Sequence, residues 1–164
     1  MVLHAPTWAL EAFAQSLQRT TKMKVSLAED GMHAVPGEIY IAPGNRHLVI
    51  AVLPLKLCLL NDPPENYVRP TADPPFRSAA RTFARYCIAA VMTGLGRDAA
   101  SGASHVADAG GIVIAQDPAT AAAPSMPRTV IDMGIIENVV PLADIAHTIS
   151  RNICTLSNEI TSNL

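Results

Sequence analysis

The sequence predicts an α/β fold with a doubly wound, mostly parallel sheet, one antiparallel hairpin and helices on both faces, a three-layer α/β/α arrangement. The first observation is a β-α-β pattern: an apolar strand at residues 88–92, a glycine-containing turn, a helix at residues 98–109 and another apolar strand at residues 112–115. Such a unit needs a crossover connection and therefore two parallel strands. The second observation is the pair of strand-like runs at residues 47–52 and 55–60, which predicts the hairpin.

The N-terminal half alternates short strands with turns. Residues 2–3 look like the end of a strand, and Pro6 then precedes a predicted helix at residues 7–17 with an apolar stripe. The alternating run at residues 24–28 and the apolar run at residues 39–42 predict two more strands, each followed by residues typical of turns.

A loop rich in proline follows the predicted hairpin. Residues 61–76 contain five of the 13 prolines, and a loop of this length in a compact domain is usually functional or mobile. The other elements predicted outside the β-α-β unit are a helix at 75–85, a loop at 116–127 followed by a short helix, a strand at 139–140 and a helix at 141–156. We therefore predict one domain over residues 1–156 and a frayed tail at residues 157–164.

The composition narrows the class of protein. The hydrophobic fraction of 49%, the charged fraction of 16% and the net charge of −2 are typical of a folded globule, and the scattered basic residues predict no nucleic-acid surface. The three cysteines lie far apart and no histidine pair has ligand spacing, so we expect a reducing compartment, no disulfide framework and no metal site. The sequence shows no signal peptide and no apolar run long enough to insert in a membrane, which predicts a cytoplasmic protein.

Polar residues follow the predicted parallel strands at the edge where ligands and catalytic groups collect in such folds. His4 follows the first strand, Asp98 closes the segment TGLGRD, and residues 116–117 follow the next strand. Asp98 at that position either orients an imidazole or caps the helix that it precedes. Likewise, Arg128 in Met126-Pro127-Arg128 either grips an acidic group or is a solvated turn residue, and spacing alone leaves both pairs of readings open.

Five segments together carry a resemblance to a known family. In chain order they are GEIYIAPGNRHL, VRPTADPPFRSAA, VMTGLGRDAASG, GGIVIAQDPATA and SMPRTVIDMGIIENVVPLADIA. Over about residues 2–150 the chain resembles the methylesterase domain of chemotaxis receptor-modifying enzymes. The resemblance implies a signal-transduction hydrolase that acts on glutamyl methyl esters of cytoplasmic chemoreceptor helices, that in many members also deamidates glutamines, and that needs no cofactor.

The resemblance also implies roles for individual residues. The general-base histidine of the family lies in an H-x-P motif, which His4 matches, and its orienting aspartate closes a TG-x-G-x-D motif at Asp98. The backbone N–H near Leu95 would by the same match help to form an oxyanion hole. The implied oxyanion and substrate contacts are Gly94, Leu95, Gly96, Met126 and Arg128.

The nucleophile is where the chain departs from the family. The family's serine lies in a G-x-S-T-G-G turn after the first strand, ahead of the histidine, and none of the serines here has that context. We therefore expect this chain to lack that strand, the following helix, the serine and the regulatory receiver domain, with Ser101 the nearest substitute in sequence. Smaller departures are Arg97 in place of a small polar residue, and Ala99 and Ser125 in place of glycines.

Three possibilities remain open at this point. The chain is a methylesterase with an incomplete catalytic triad, a catalytically silent relative that only binds, or a domain kept for stability or assembly alone. The silent relative would bind chemoreceptor helices, another methylated signalling protein or a second copy of itself. Loss of a first strand would expose a sheet edge, and exposed edges invite pairing, so this reading predicts a homodimer.

Overall fold

A computed structural model describes residues 1–136 and 138–162 of the protein. The strands are β1 (Lys24–Leu27), β2 (Glu38–Ile41), β3 (His47–Ala51), β4 (Lys56–Leu60), β5 (Ile88–Val91), β6 (Ile112–Gln116) and β7 (Asn138–Val140). The α-helices are α1 (Thr7–Thr20), α2 (Asp73–Phe83), α3 (Ala100–Asp108), α4 (Ser125–Asp132) and α5 (Ile145–Ser162). No helix within these residues is long and apolar enough to cross a membrane.

The predicted fold class is confirmed. β1 and β2 pair in parallel, β5, β6 and β7 form a parallel sheet in that order, and β3 and β4 form the antiparallel hairpin. The β-α-β pattern is the unit β5-α3-β6, in which α3 carries the chain back so that the two strands run the same way. In the described residues the parallel strands are divided between two separate sheets, whereas the sequence predicted one continuous sheet.

Element boundaries differ from the predictions at several helix ends. α2 begins at Asp73 because prolines at its first helical positions fit there without losing a hydrogen bond. α3 begins at Ala100 and not at residue 98. α5 continues to Ser162, beyond the end predicted at residue 156. Of the tail predicted at residues 157–164, Asn163 and Leu164 lie outside the described residues.

Alternation along β2 lets it pack on both of its faces. Ile41 is fully buried against Leu10 and Ala14 of α1, which form the apolar stripe of that helix. Tyr40 points the other way, because successive strand residues face opposite sides, and it packs with the hairpin cluster that includes Leu48. The sequence pattern thus places one helix and one hairpin on opposite sides of the β1–β2 pair.

Small residues allow the helices over β5 and β6 to approach closely. Ala89 and Val91 are buried in the core cluster shared by α2, α3 and α4. Gly102 of α3 faces α2, where an added Cβ would lie 2.6 Å from the Cβ of Phe76. Burial of this surface, which is mostly alanine and valine, fixes the positions of α2 and α3 and of the loops at the carboxyl end of β5.

Residues 1–3 run beside β2 in the parallel direction. The amino group of Met1 donates a hydrogen bond to the carbonyl of Tyr40 (2.6 Å), and the N–H of Ala42 donates to the carbonyl of Met1 (2.8 Å). Met1 thus bonds to Tyr40 and to Ala42, two residues further along, which is the hydrogen-bond pattern of a parallel pair. It delivers His4 to the carboxyl end of the strands.

Candidate active site

His4 and Asp98 meet at the carboxyl ends of the strands, as the sequence predicted for this edge. The Nε2 atom of His4 lies 2.9 Å from Oδ2 of Asp98. The His4 side chain is 32% exposed and the Asp98 side chain only 3%. One partner is therefore fixed inside the protein while the imidazole remains accessible from outside, which is the arrangement that a general base with an orienting carboxylate requires.

The Asp98 carboxylate accepts hydrogen bonds from groups on both sides of the site. The buried hydroxyl of Thr71 donates to Oδ1, the N–H of Ala72 donates at 2.9–3.0 Å, and the N–H of Ala99 donates at 2.8 Å. α3 begins after Ala99, and Asp98 accepts no hydrogen bond from the first turn of that helix. The reading of Asp98 as a helix cap is therefore wrong, because its carboxylate is used by the loop before α2 and by His4.

These contacts shift the pKa values of both partners in the direction of an ion pair. Burial by itself raises the pKa of Asp98, but the hydrogen bonds from His4, Thr71, Ala72 and Ala99 outweigh it and hold the pKa below its ordinary 3.8. The hydrogen bond to Asp98 raises the pKa of His4 above 6.5. Burial opposes that rise, while the charge of Asp98 and the backbone of Pro70 add to it. The carboxylate thus stabilises the protonated imidazole.

Among Gly94, Leu95 and Gly96 of the turn after β5, the N–H groups of the two glycines are hydrogen-bonded within the described residues. The N–H of Gly94 donates to the carbonyl of Ala123 (2.9 Å), and the N–H of Gly96 donates to the hydroxyl of Ser125 (3.1 Å). Within the described residues the N–H of Leu95 has no partner, and the residue is 80% exposed. Of the three turn residues, Leu95 is therefore the one with a free backbone donor, which supports its predicted role in an oxyanion hole.

The residues of the MPR segment lie in different environments. Met126 is buried, its N–H donates to the carbonyl of Gly94 (3.1 Å), and it lines the same cavity as His4 and Asp98. An added Cβ at Gly94 would overlap the Met126 sulfur, so a side chain at this position would require Met126 to move. Arg128 is exposed, makes no ion pair within the described chain and does not line that cavity.

Sequence reasoning missed two residues where the proline-rich loop meets α2, one in the loop and one at the start of the helix. Thr71 is fully buried against Asp98, and the neighbouring Asp73 accepts hydrogen bonds from the N–H of Gly102 (2.6 Å) and the amide of Asn66 (2.8 Å). Burial raises the pKa of Asp73, and the hydrogen bond from Gly102 opposes that rise. A threonine and an aspartate in the middle of a proline-rich loop were the only signal in the sequence.

No serine hydroxyl hydrogen-bonds to His4 in the part of the chain that the structure describes. Ser101, the nearest substitute in sequence, is exposed on α3, and its hydroxyl makes no hydrogen bond to His4 within the described residues. The hydroxyl of Ser125 donates to the carbonyl of Gly94 and accepts from Gly96, so it stabilises the glycine turn. The described residues also hold no group of three or more acidic, histidine or cysteine side chains suited to a metal ion.

Comparison with known proteins identifies the family of the chain. A family profile described as CheB methylesterase matches residues 1–149. A protein-glutamate methylesterase/protein-glutamine glutaminase of Pyrococcus abyssi (strain GE5 / Orsay) is 39% identical over 153 residues, which are 92% of this chain and 42% of that protein. A relative of the same name, numbered 1, from Burkholderia pseudomallei (strain 1710b) is 35% identical over 159 residues, which are 96% of this chain and 44% of that protein. The chain therefore spans less than half the length of these curated relatives.

A solved structure extends the match to three dimensions. The crystal structure of the Thermotoga maritima CheB methylesterase catalytic domain superposes with a TM-score of 0.86 at 35% sequence identity, covering 90% of this chain and 79% of that domain. The family resemblance predicted from the five segments is confirmed over nearly the whole chain: the chain belongs to the CheB methylesterase family.

Proposed function

We propose that this chain supplies the base and its orienting carboxylate to a site that hydrolyses γ-glutamyl methyl esters on the cytoplasmic helices of chemoreceptors. The observation that supports this most directly is the contact of 2.9 Å between His4 and the buried carboxylate of Asp98. The relatives are named protein-glutamate methylesterase/protein-glutamine glutaminase, so glutamine side chains of the same receptors are the second substrate of the proposal. The proposed location is the cytoplasm.

The proposed reaction is acyl transfer through a hydroxyl nucleophile. The hydroxyl oxygen bonds to the ester carbonyl carbon while its proton moves to His4. The carbonyl oxygen, now negative, accepts a hydrogen bond from the N–H of Leu95. His4 returns the proton to the methoxide as the C–O bond breaks, which releases methanol, and a water molecule then repeats the sequence to free the glutamate. Asp98 keeps the imidazole oriented and stabilises its protonated form.

The substrate side of the proposal depends on the turn after β5 and on Met126. Met126 contributes apolar surface to the cavity that opens at His4, which suits the aliphatic stem and methyl group of an esterified glutamate. Arg128 is exposed and without an ion pair in the described residues, so its proposed contact is with acidic side chains on the surface of the receptor helix.

The first test is methanol release from a methyl-esterified receptor helix. We expect the 164-residue chain alone to stay at the buffer rate, because loss of a triad nucleophile costs about 10⁶ in turnover. The informative protein is a chimera in which residues 1–149 replace the matched part of the Thermotoga maritima catalytic domain. The chimera should release methanol, and Asp98→Asn should slow it by about 10⁴ through misorientation of the base.

The matched control is Asp132→Asn, which removes an exposed carboxylate of α4 and should leave the rate unchanged. A His4→Ala chimera should be as slow as the Asp98→Asn chimera or slower. A chimera with native circular dichroism that releases no methanol but binds the receptor helix would contradict the proposal and favour the silent binding module.

A further inference from the structure

Another cavity lies between the hairpin and α2, apart from the site of His4 and Asp98. It has a volume of about 390 Å³ and shares no lining residue with the cavity at His4. β3 forms one wall and α2 forms the other, and the proline-rich loop contributes Asp62 and Glu65. A concave space of this size with both apolar and polar walls is suited to a small ligand.

One end of this cavity lies where β3 and α2 both begin. His47 is the first residue of β3, and its Nε2 atom lies 3.1 Å from the carbonyl oxygen of Pro63. The loop that contains Pro63 is joined to the first residue of α2, because the side chain of Asn66 donates a hydrogen bond to Asp73 (2.8 Å). Asp62, next to Pro63 in the chain, therefore lies at this first end.

The other end lies about 10 Å further along. The N–H of Ile50 donates to the hydroxyl of Ser78 (3.0 Å), so the later residues of β3 lie beside the later residues of α2. Arg81 follows on α2 and lines the cavity there. The helix advances seven residues from Pro74, at the first end, to Arg81, and a rise of about 1.5 Å per residue gives the distance of about 10 Å.

Two acceptors at the first end have no partner. A carbonyl oxygen can only accept, so the proton of the neutral His47 imidazole is assigned to Nε2, and Nδ1 is left as an acceptor. His47 is 1% exposed, and its Nδ1 makes no hydrogen bond within the described residues. The carboxylate of Asp62 makes no salt bridge in the same part of the chain. A cationic group that donates hydrogen bonds would be a partner for both acceptors.

The unpaired charges that line the cavity form a dipole. Glu65 and Arg77 also line it, but they neutralise each other through two hydrogen bonds of 2.7 and 2.9 Å. Arg81 makes no salt bridge among the residues that the structure describes. A negative charge at Asp62 and a positive charge at Arg81 therefore remain at opposite ends, with apolar surface such as Val49 between them.

We propose that this cavity binds a small dipolar molecule of the class of a free tripeptide, with its ammonium group at Asp62 and His47 and its carboxylate at Arg81. An extended chain spans about 3.5 Å per residue, so three residues match the distance of about 10 Å between the ends. The guanidinium fork of Arg81 suits a carboxylate. The proposal goes beyond the proposed function and does not depend on it, since none of its residues lines the cavity at His4.

The experiment titrates trialanine into the full 164-residue chain and follows the amide and histidine resonances by NMR. Trialanine should shift the amide resonances of Ala51 and Ser78, and the Nδ1 resonance of His47 should move upfield as this nitrogen accepts a hydrogen bond. Dialanine, which is too short to reach both ends, should bind about threefold to tenfold more weakly. N-acetyl-trialanine, which lacks the ammonium group, and trialanine amide, which lacks the carboxylate, should each bind more weakly by a similar factor.

Two variants test the two ends separately. Asp62→Asn should weaken trialanine binding by the factor that acetylation costs and should leave the binding of N-acetyl-trialanine unchanged. Arg81→Gln should weaken trialanine binding by the factor that amidation costs and should leave the binding of trialanine amide unchanged. Both side chains are exposed, so both variants should keep native circular dichroism. Asp132→Asn and Arg151→Gln are the matched controls, because they remove exposed charges outside the cavity.

Three results would overturn the proposal. The first is the absence of saturable binding by trialanine. The second is binding that neither acetylation nor amidation weakens, because apolar contact alone would then hold the peptide. The third is a perturbation of the His4 resonances without one at His47, which would place the peptide in the other cavity. Methanol release is not part of the measurement, so the result is independent of the proposed esterase activity.

Discussion

Replacing Asp98 by alanine should be among the most destabilising single changes in this protein. The carboxylate is the acceptor for the hydroxyl of Thr71 and for the N–H groups of Ala72 and Ala99, and all three of these residues are buried. It is also the partner of His4. Alanine offers no acceptor, so the buried donors lose their partners and water has little access to replace them.

The magnitude follows from those contacts. A stranded buried donor costs about 1–3 kcal/mol. The ion pair adds less than the roughly 3–5 kcal/mol of a pair buried on both sides, because the His4 side chain is 32% exposed. Since these contributions are not additive, we expect Asp98→Ala to lower the free energy of unfolding by about 4 kcal/mol. Asp98→Asn keeps one oxygen acceptor and loses the charge, so its expected loss is about 2 kcal/mol. The control, Asp132→Asn, should change stability by less than about 0.5 kcal/mol.

Urea unfolding followed by far-UV circular dichroism measures these differences. Trp8 is 73% exposed, so its fluorescence is a weak reporter, whereas the five helices give a strong dichroic signal. Equal slopes of unfolding free energy against urea are needed for the midpoints to be compared. A loss below about 1 kcal/mol for Asp98→Ala, or one equal to that of the Asp132 control, would refute the reasoning that the carboxylate holds the loop and the imidazole together.

Three further outcomes follow from the same structure. The folded-state pKa of His4 is raised above 6.5, so its ion pair contributes stability that is complete below pH 6.5 and is lost as the pH rises through the folded-state pKa. The unfolding free energies of wild type and His4→Ala should therefore approach each other as the pH rises through that pKa. A difference between them that grows with pH would contradict this prediction. Gly94→Ala should cost about 1–3 kcal/mol by displacing Met126, and Met126→Ala in the same chain should recover part of it in a double-mutant cycle; additive losses would mean that the two positions do not touch. Gly102→Ala should lower the thermal unfolding midpoint more than Gly94→Ala does. Its Cβ would meet Phe76 and the backbone of α2, and a backbone cannot move aside as a side chain can. Calorimetry that shows the reverse order would contradict this prediction.

Sequence patterns predicted the elements whose formation depends on residues close together in the chain. The alternation of β3 and β4 and the glycine turn after β5 are local signals, and the elements formed close to their predicted positions. His4 and Asp98 were placed together because both follow parallel strands and both match family motifs. Thr71 was missed because its hydrogen bond to Asp98 joins residues 27 positions apart, a contact that no local pattern encodes.

Ala99 shows a second limit of the sequence. It was noted only as a departure from a glycine of the family, and the structure supplies the reason for that glycine, since Ala99 has φ 71°. A residue with a Cβ pays a steric penalty in this left-handed region, whereas glycine does not. The backbone conformation at Ala99 is thus one that favours glycine, in agreement with the glycine that the resemblance implied here.

The loop before α2, which donates hydrogen bonds to the Asp98 carboxylate, has a low conformational entropy when the chain is unfolded. Residues 61–72 contain three prolines, and each proline ring restricts the unfolded chain as well as the folded one. Ordering this segment therefore costs less conformational entropy than ordering a loop of the same length without proline. The N–H of Ala72 and the hydroxyl of Thr71 are presented by a backbone that has little freedom to lose. The orientation of the carboxylate, and through it that of the imidazole, is thereby maintained at a low entropic cost of folding.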